Sequence, residues 1–240
     1  MNEQLLDGSD ALEKIIEKSE FSDNVDIFVS FFYFSGWKLL AKVLKNKNIR
    51  ILIGDYIDPK QFTPEVRNAL QKDPNKDLTP LKPFIYPSSS LEKKKEFAKG
   101  FSKLVNETDI YDDYIDEMKI FEDKLLDGSL KIKFIGNDHR KAYLIHYKDD
   151  FTRDGLTPGC LISGSSNMTY NGLSGIQGEL NTWNEDKDVY EQAKKDFNDS
   201  WNNADNINLD NDFLQNVKKD LWIFSNPLPY HLYIRVLHEL

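Results

Sequence analysis

A histidine, one residue of any kind and a lysine stand at the head of an apolar run in 139-HRKAYLIHY-147, and 163-SGSSNMT-169 follows on the end of another. These residue types suit phosphoryl transfer. The imidazole of His139 can attack phosphorus and carry a phosphohistidine. The ammonium of Lys141 and the carboxamide of Asn167 can offset charge on the equatorial oxygens, with the Ser165 hydroxyl as a further donor. A second imidazole must protonate the leaving oxygen and later activate water. A carboxylate on the far ring nitrogen would fix the histidine tautomer, and Glu179 is the candidate. Chemistry of this kind asks for no cofactor and no metal ion.

Spacing adds to the residue types. Side chains alternate faces along a strand, so His139 and Lys141 share a face, as do Ser165 and Asn167. Were their strands neighbours, the four would meet at the rim of a sheet, where ligands of open α/β folds usually bind. A lone His-x-Lys would more naturally be a polar strand terminus; the downstream Gly-Ser-x-Asn raises it above that. His146 is the other imidazole of the run, but seven positions separate it from His139, so on a regular strand it faces the opposite side.

The elements that must hold these groups follow from apolar patterning. Residues 10–20 predict a helix with Asp10 as its cap, Glu13 three positions on, and Leu12, Ile15 and Ile16 on one face. Residues 25–35 predict a buried strand, 36–48 a helix, and 49–56 a second strand. That order is a βαβ unit and favours parallel pairing. Tyr33, Ser35 and Trp37 fall at the end of the first strand, where one of them could line a cleft. Residues 58–127 are proline-rich and then highly charged, and are expected to form a helical insertion. Its run Asp109, Asp112, Asp113, Asp116 and Glu117 reads as a solvated helix face. Further strands are expected at 129–136, 141–147, 160–166 and 178–183. A helix over 187–203 carries Val189, Ala193, Phe197 and Trp201 at i, i+4 spacing. The fold class expected is α/β: a mixed, mostly parallel sheet flanked by helices, with the insertion at 58–127. Residues 1–205 form the expected domain. Residues 206–240 read as a linker and the start of a following domain, because a helical pattern there runs uncapped into Leu240.

Composition narrows the function classes. Of 240 residues, 40% are hydrophobic and 12% aromatic, which fits a folded chain. A net charge of −9 counts against a broad nucleic-acid surface, leaving room only for a narrow basic cleft. Cys160 is the single cysteine, so an intrachain disulfide and a cysteine-rich metal site are excluded. No apolar run approaches the ~18 residues of a membrane helix. The first residues lack the basic start and apolar core of a secretory signal, and a reducing cytoplasm is the expected location.

His139-Arg140-Lys141, Gly164-Ser165-Ser166-Asn167 and Glu179 resemble the signature of the phospholipase D superfamily: His-x-Lys, then Gly-Ser-x-Asn, then an acidic residue. The family often has an aspartate five residues past the lysine. Here that position is His146, with Asp149 and Asp150 out of register, and Arg140 is bulkier than the usual small residue. More narrowly, the chain is similar to phospholipase-D-like nuclease domains of bacterial restriction and defence proteins. The ending 229-PYHLYIRVLHEL-240 is similar to the segment that joins such a domain to a Swi/Snf-type helicase. The resemblance implies a phospholipase D-like fold and metal-independent phosphodiester cleavage, with DNA as the substrate. It also implies a homodimer in which each protomer brings one His139 to a shared site. Two other readings stand beside this one. A DNA-docking and dimerisation module without catalysis is suggested by the missing aspartate and the acidic balance. A phospholipid phosphodiesterase is the third, although no basic amphipathic helix is evident.

Overall fold

In a computed structural model, the described residues are 4–30, 32, 34–54, 115–135, 138–149 and 157–204. Most of the expected insertion (55–114) and the whole tail (205–240) lie outside them. The strands are β1 (Gln4–Leu6), β2 (Ser22–Val29), β3 (Asn48–Gly54), β4 (Leu130–Ile135), β5 (Ala142–Tyr147), β6 (Gly159–Gly164) and β7 (Asn181–Asn184). The helices are α1 (Gly8–Ser19), α2 (Phe34–Leu44), α3 (Ile115–Asp127), α4 (Tyr170–Leu173) and α5 (Lys187–Asn203).

One seven-stranded sheet has the order β1-β7-β6-β5-β2-β3-β4. Strands β2, β3 and β4 are parallel, joined by stretches that contain α2 and α3. The other pairings are antiparallel. The fold is thus the mixed, helix-flanked α/β arrangement expected, but its parallel part stops at three strands. The reason is the short link from Ile135 to Ala142. A parallel neighbour needs a crossover of a dozen or more residues, so β5 returns beside β2 in the opposite direction.

Period-two alternation divides the core between the faces. On one face Val25, Ile27 and Val29 pack with Ile51, Ile53, Tyr143 and Ile145 beneath Ile15, Trp37 and Leu40 of α1 and α2. On the other, Phe28, Leu52 and Leu144 pack against Phe197 of α5. Helix α1 starts earlier than the pattern predicts. Asp7, not Asp10, caps it, accepting from the Asp10 N–H at 2.9 Å while the Asp10 carboxylate accepts from Asp7 N–H. Helix α3, read from sequence as part of the insertion, is the described helix of the connection between β3 and β4. Its Phe121 meets the Trp37 ring edge-on at 5.3 Å, and Trp37 Nε1 donates to the Glu117 carbonyl at 3.0 Å. Trp37 is therefore core rather than cleft wall, and Glu117 is buried rather than solvated. Gly128, at φ 78°, supplies the left-handed residue that ends α3.

The α5 face also carries a buried polar network. Arg50 grips the Asp26 carboxylate through Nε at 2.7 Å and Nη2 at 2.5 Å. His146 Nε2 lies 2.8 Å from the same carboxylate, and its Nδ1 lies 2.5 Å from the Tyr190 hydroxyl. Burial alone would raise the Asp26 pKa, but hydrogen bonds from His146 and Arg50 outweigh it and hold the carboxyl below its ordinary range. A carboxyl depressed in the folded state stabilises above its unfolded pKa and loses that contribution as pH falls through the folded value. Asp26→Ala should therefore destabilise the chain by about 3–5 kcal/mol at neutral pH. Urea titrations across the acid range should show a smaller loss of stability with falling pH in the variant than in the parent.

Candidate active site

The segment 138–141 precedes β5 and lies just outside the regular strand. Two backbone contacts fix it. The Lys141 carbonyl accepts from Gly164 N–H at 3.1 Å, which ties His-x-Lys directly to Gly-Ser-x-Asn. The Asp138 carbonyl lies so close to Gly54 that a Cβ there would come within 1.9 Å of it. Gly54 ends the apolar run ILIG, and a glycine at such a strand end signals close backbone approach. The sequence reading passed over it.

The expected pairing of His139 and Lys141 is present. Lys141 Nζ is 2.7 Å from His139 Nδ1 and donates to the His139 carbonyl at 2.8 Å. The lysine stem is buried and the histidine is exposed. An ammonium can only donate, so Nδ1 is the acceptor in this contact. Burial pushes the Lys141 ammonium below the usual lysine range, while the carboxylates of Glu179 and Asp138 oppose that shift. Glu179, half-buried just ahead of β7, is thus within electrostatic reach of Lys141.

Asn167 reaches the same rim from the other side of β5. Its Oδ1 accepts from Ser30 N–H, at the C-terminal end of β2, at 3.0 Å. That bond turns the donor end of the carboxamide the other way. Ser165 is brought to the rim too, but its hydroxyl is engaged by backbone. It accepts from Leu180 N–H at 2.9 Å, and Ser165 N–H donates to the Leu180 carbonyl at 3.1 Å. The intervening Ser166 is fully buried beside Asn181, whose Oδ1 accepts from Ser166 N–H at 3.2 Å and whose Nδ2 donates to Ser166 Oγ at 2.9 Å. Asn181, which sequence reasoning also missed, locks the Gly-Ser-x-Asn turn to β7. So the chain brings His139, Lys141, Ser165, Asn167 and Glu179 to one rim of the sheet.

The remaining motif positions point elsewhere. Arg140 turns to the α5 face, pairs with Asp138, donates to Ser200 Oγ at 2.8 Å and lies over the Phe28 ring at 4.1 Å. His146 sits at the far end of β5 on the α5 face, about 17 Å along the strand from Lys141, held by Asp26 and Tyr190. It is not a second imidazole for this site.

The chain matches no family model and no curated protein. Among similar solved structures is NucT from Helicobacter pylori, at 13% identity and TM-score 0.42 over 85% of this chain and 97% of that one. Another is Nuc from Salmonella typhimurium, described as a phospholipase D family member, at 11% and 0.42 over the same shares. A third is the phosphatidylserine synthase of Haemophilus influenzae, at 13% and 0.43 over 82% of this chain and 37% of that one. Values this low assign no activity to this chain.

Gly54→Ala should push the 138–141 segment outward and break the lysine–imidazole contact. The expected readouts are a lowered melting temperature and a changed chemical shift of the His139 ring. An unchanged ring signal would show that Gly54 does not position it.

Proposed function

We propose that the chain is a metal-independent phosphodiesterase of the phospholipase D type, acting on DNA through a phosphohistidine at His139. The observation that carries this reading is the 2.7 Å contact between Lys141 Nζ and the His139 imidazole, tied by backbone to Gly164 and flanked by Asn167 and Glu179. A phosphodiester entering this rim would offer its anionic oxygens to the Lys141 ammonium and the Asn167 donor end. Both stabilise the charge that develops in transfer. The imidazole attacks phosphorus, the bond to the leaving oxygen breaks, and that oxygen takes a proton from a second imidazole. The same group then removes a proton from water, which attacks the phosphohistidine and restores the free ring. Glu179 favours the cationic partners of this sequence by its charge.

Each chain brings one such set to the rim among its described residues. The second imidazole is assigned to His139 of another protomer, related by a two-fold axis, the commonest symmetry for such assemblies. The reading places the domain in a larger restriction or helicase-associated protein, on the likeness of the tail.

Cleavage of bis(p-nitrophenyl) phosphate and of DNA in excess chelator tests this. His139→Ala should lower turnover by about a thousandfold or more, and Lys141→Ala by about a hundred- to a thousandfold. Dimers mixing parent and His139→Ala protomers should be inactive, and light scattering should give twice the 27.9 kDa chain mass. Full activity from a monomer, or cleavage unaffected by His139→Ala, excludes the mechanism. DNA binding and dimerisation without cleavage would instead favour the docking module.

A further inference from the structure

The sheet has a second polar region, at the opposite strand ends from His139 and on the α5 face. There β2, β3 and β4 carry Asn24, Asp26, Asn48, Arg50 and Lys131, where the same face further along carries Phe28 and Leu52 into the α5 core. With Lys194 of α5, these side chains line a cleft of about 420 Å3. Three cationic side chains in the wall, Arg50, Lys131 and Lys194, face one carboxylate. That carboxylate, Asp26, is buried and already bound by Arg50 and His146. Lys131 has no ion pair among the described residues, and Lys194 has Glu191 at 3.8 Å. The Arg50 guanidinium is fixed in place. Asp26 holds its Nε and Nη2, Asn198 takes a further bond from Nη2 at 3.0 Å, and the Phe197 and Trp201 rings lie 4.9 and 5.4 Å away. Its Nη1 donates to no described residue. Asn48 Nδ2 donates to Asn24 Oδ1 at 3.1 Å, which leaves the Asn24 amide N–H groups as donors on the same wall.

The cleft is a locally cationic site on a chain of net charge −9. A rigid guanidinium edge beside two lysine ammonium groups suits a phosphate dianion. The volume exceeds that of a bare phosphate and falls within the roughly 300–1,000 Å3 of small-molecule sites. We propose that this cleft is a second ligand site, for a phosphomonoester carried on a molecule of nucleotide size. A free mononucleotide and the phosphorylated end of an oligonucleotide share that chemistry. The site lies most of the length of β5 from Lys141, so one phosphate cannot serve both.

The test uses the full chain, with AMP, adenosine and inorganic phosphate followed by calorimetry. Oligonucleotides with a 5′-phosphate or a 5′-hydroxyl are followed by anisotropy. AMP should bind the parent and His139→Ala alike, and adenosine should not bind. Lys131→Glu with Lys194→Glu should weaken AMP roughly tenfold to a hundredfold while melting temperature and bis(p-nitrophenyl) phosphate turnover stay at parental values. Should the charge reversal impair folding, Lys131→Gln with Lys194→Gln gives the same comparison. A 5′-phosphate preference that disappears in the double variant identifies a strand end as the source. AMP binding without such a preference identifies the free nucleotide. The proposal is overturned if neither AMP nor a phosphorylated end binds, if adenosine binds as well as AMP, or if AMP binding survives in the double variant. It is equally overturned if His139→Ala abolishes AMP binding. The binding measurements stand whether or not the chain cleaves phosphodiesters, so the two readings fail separately.

Discussion

The imidazole of the candidate site sits on a segment that belongs to no strand, and contacts between backbones hold it. The Asp138 carbonyl rests against Gly54, and the Lys141 carbonyl accepts from Gly164. Neither contact tolerates much change. At Gly54 the missing Cβ is the space the carbonyl occupies. At Gly164 a Cβ would come within 2.2 Å of the Leu180 carbonyl. Two glycines on neighbouring layers of the rim thus allow three chain segments to converge, and side chains of ordinary length then suffice to meet.

Alternation gives the sheet two chemically different ends. Odd-numbered positions of β2, β3 and β5 build the larger core under α1 and α2, with Lys141 continuing that face to the rim. Even-numbered positions are apolar only where α5 covers them, and become charged beyond it. Arg140 belongs to this second set. Its bulk fits because it points away from the imidazole, onto Phe28 and Ser200. His146 lies on the same face, and its Nε2 is 2.8 Å from the Asp26 carboxylate on β2.

Much of this was legible in the sequence. Apolar patterning located the long helices and every described strand except the short β1, and the two motifs together with the acidic Glu179 named the five side chains that reach one rim. What stayed hidden has physical causes. The direction of β5 depends on the shortness of the link after Ile135, which apolar patterning does not register. Trp37 looked available because it falls near the end of the first predicted strand, yet its N–H is satisfied by a buried carbonyl of α3. The cap of α1 lay at Asp7 because Gly8 and Ser9 are accepted in a first helical turn, although the apolar pattern begins later. Asn181 and Gly54 act through backbone partners far away in the chain, and local spacing carries no trace of those.

The lysine–imidazole contact also has a temporal side. While the ammonium donates into Nδ1, the lone pair on that nitrogen is occupied and the ring is a poor attacker. An anionic oxygen is a stronger acceptor for the same ammonium, so an arriving phosphate would draw Lys141 away and uncover the ring as it binds. Under the proposed mechanism the contact would thus act as a latch on the imidazole, and a docking anion would release it.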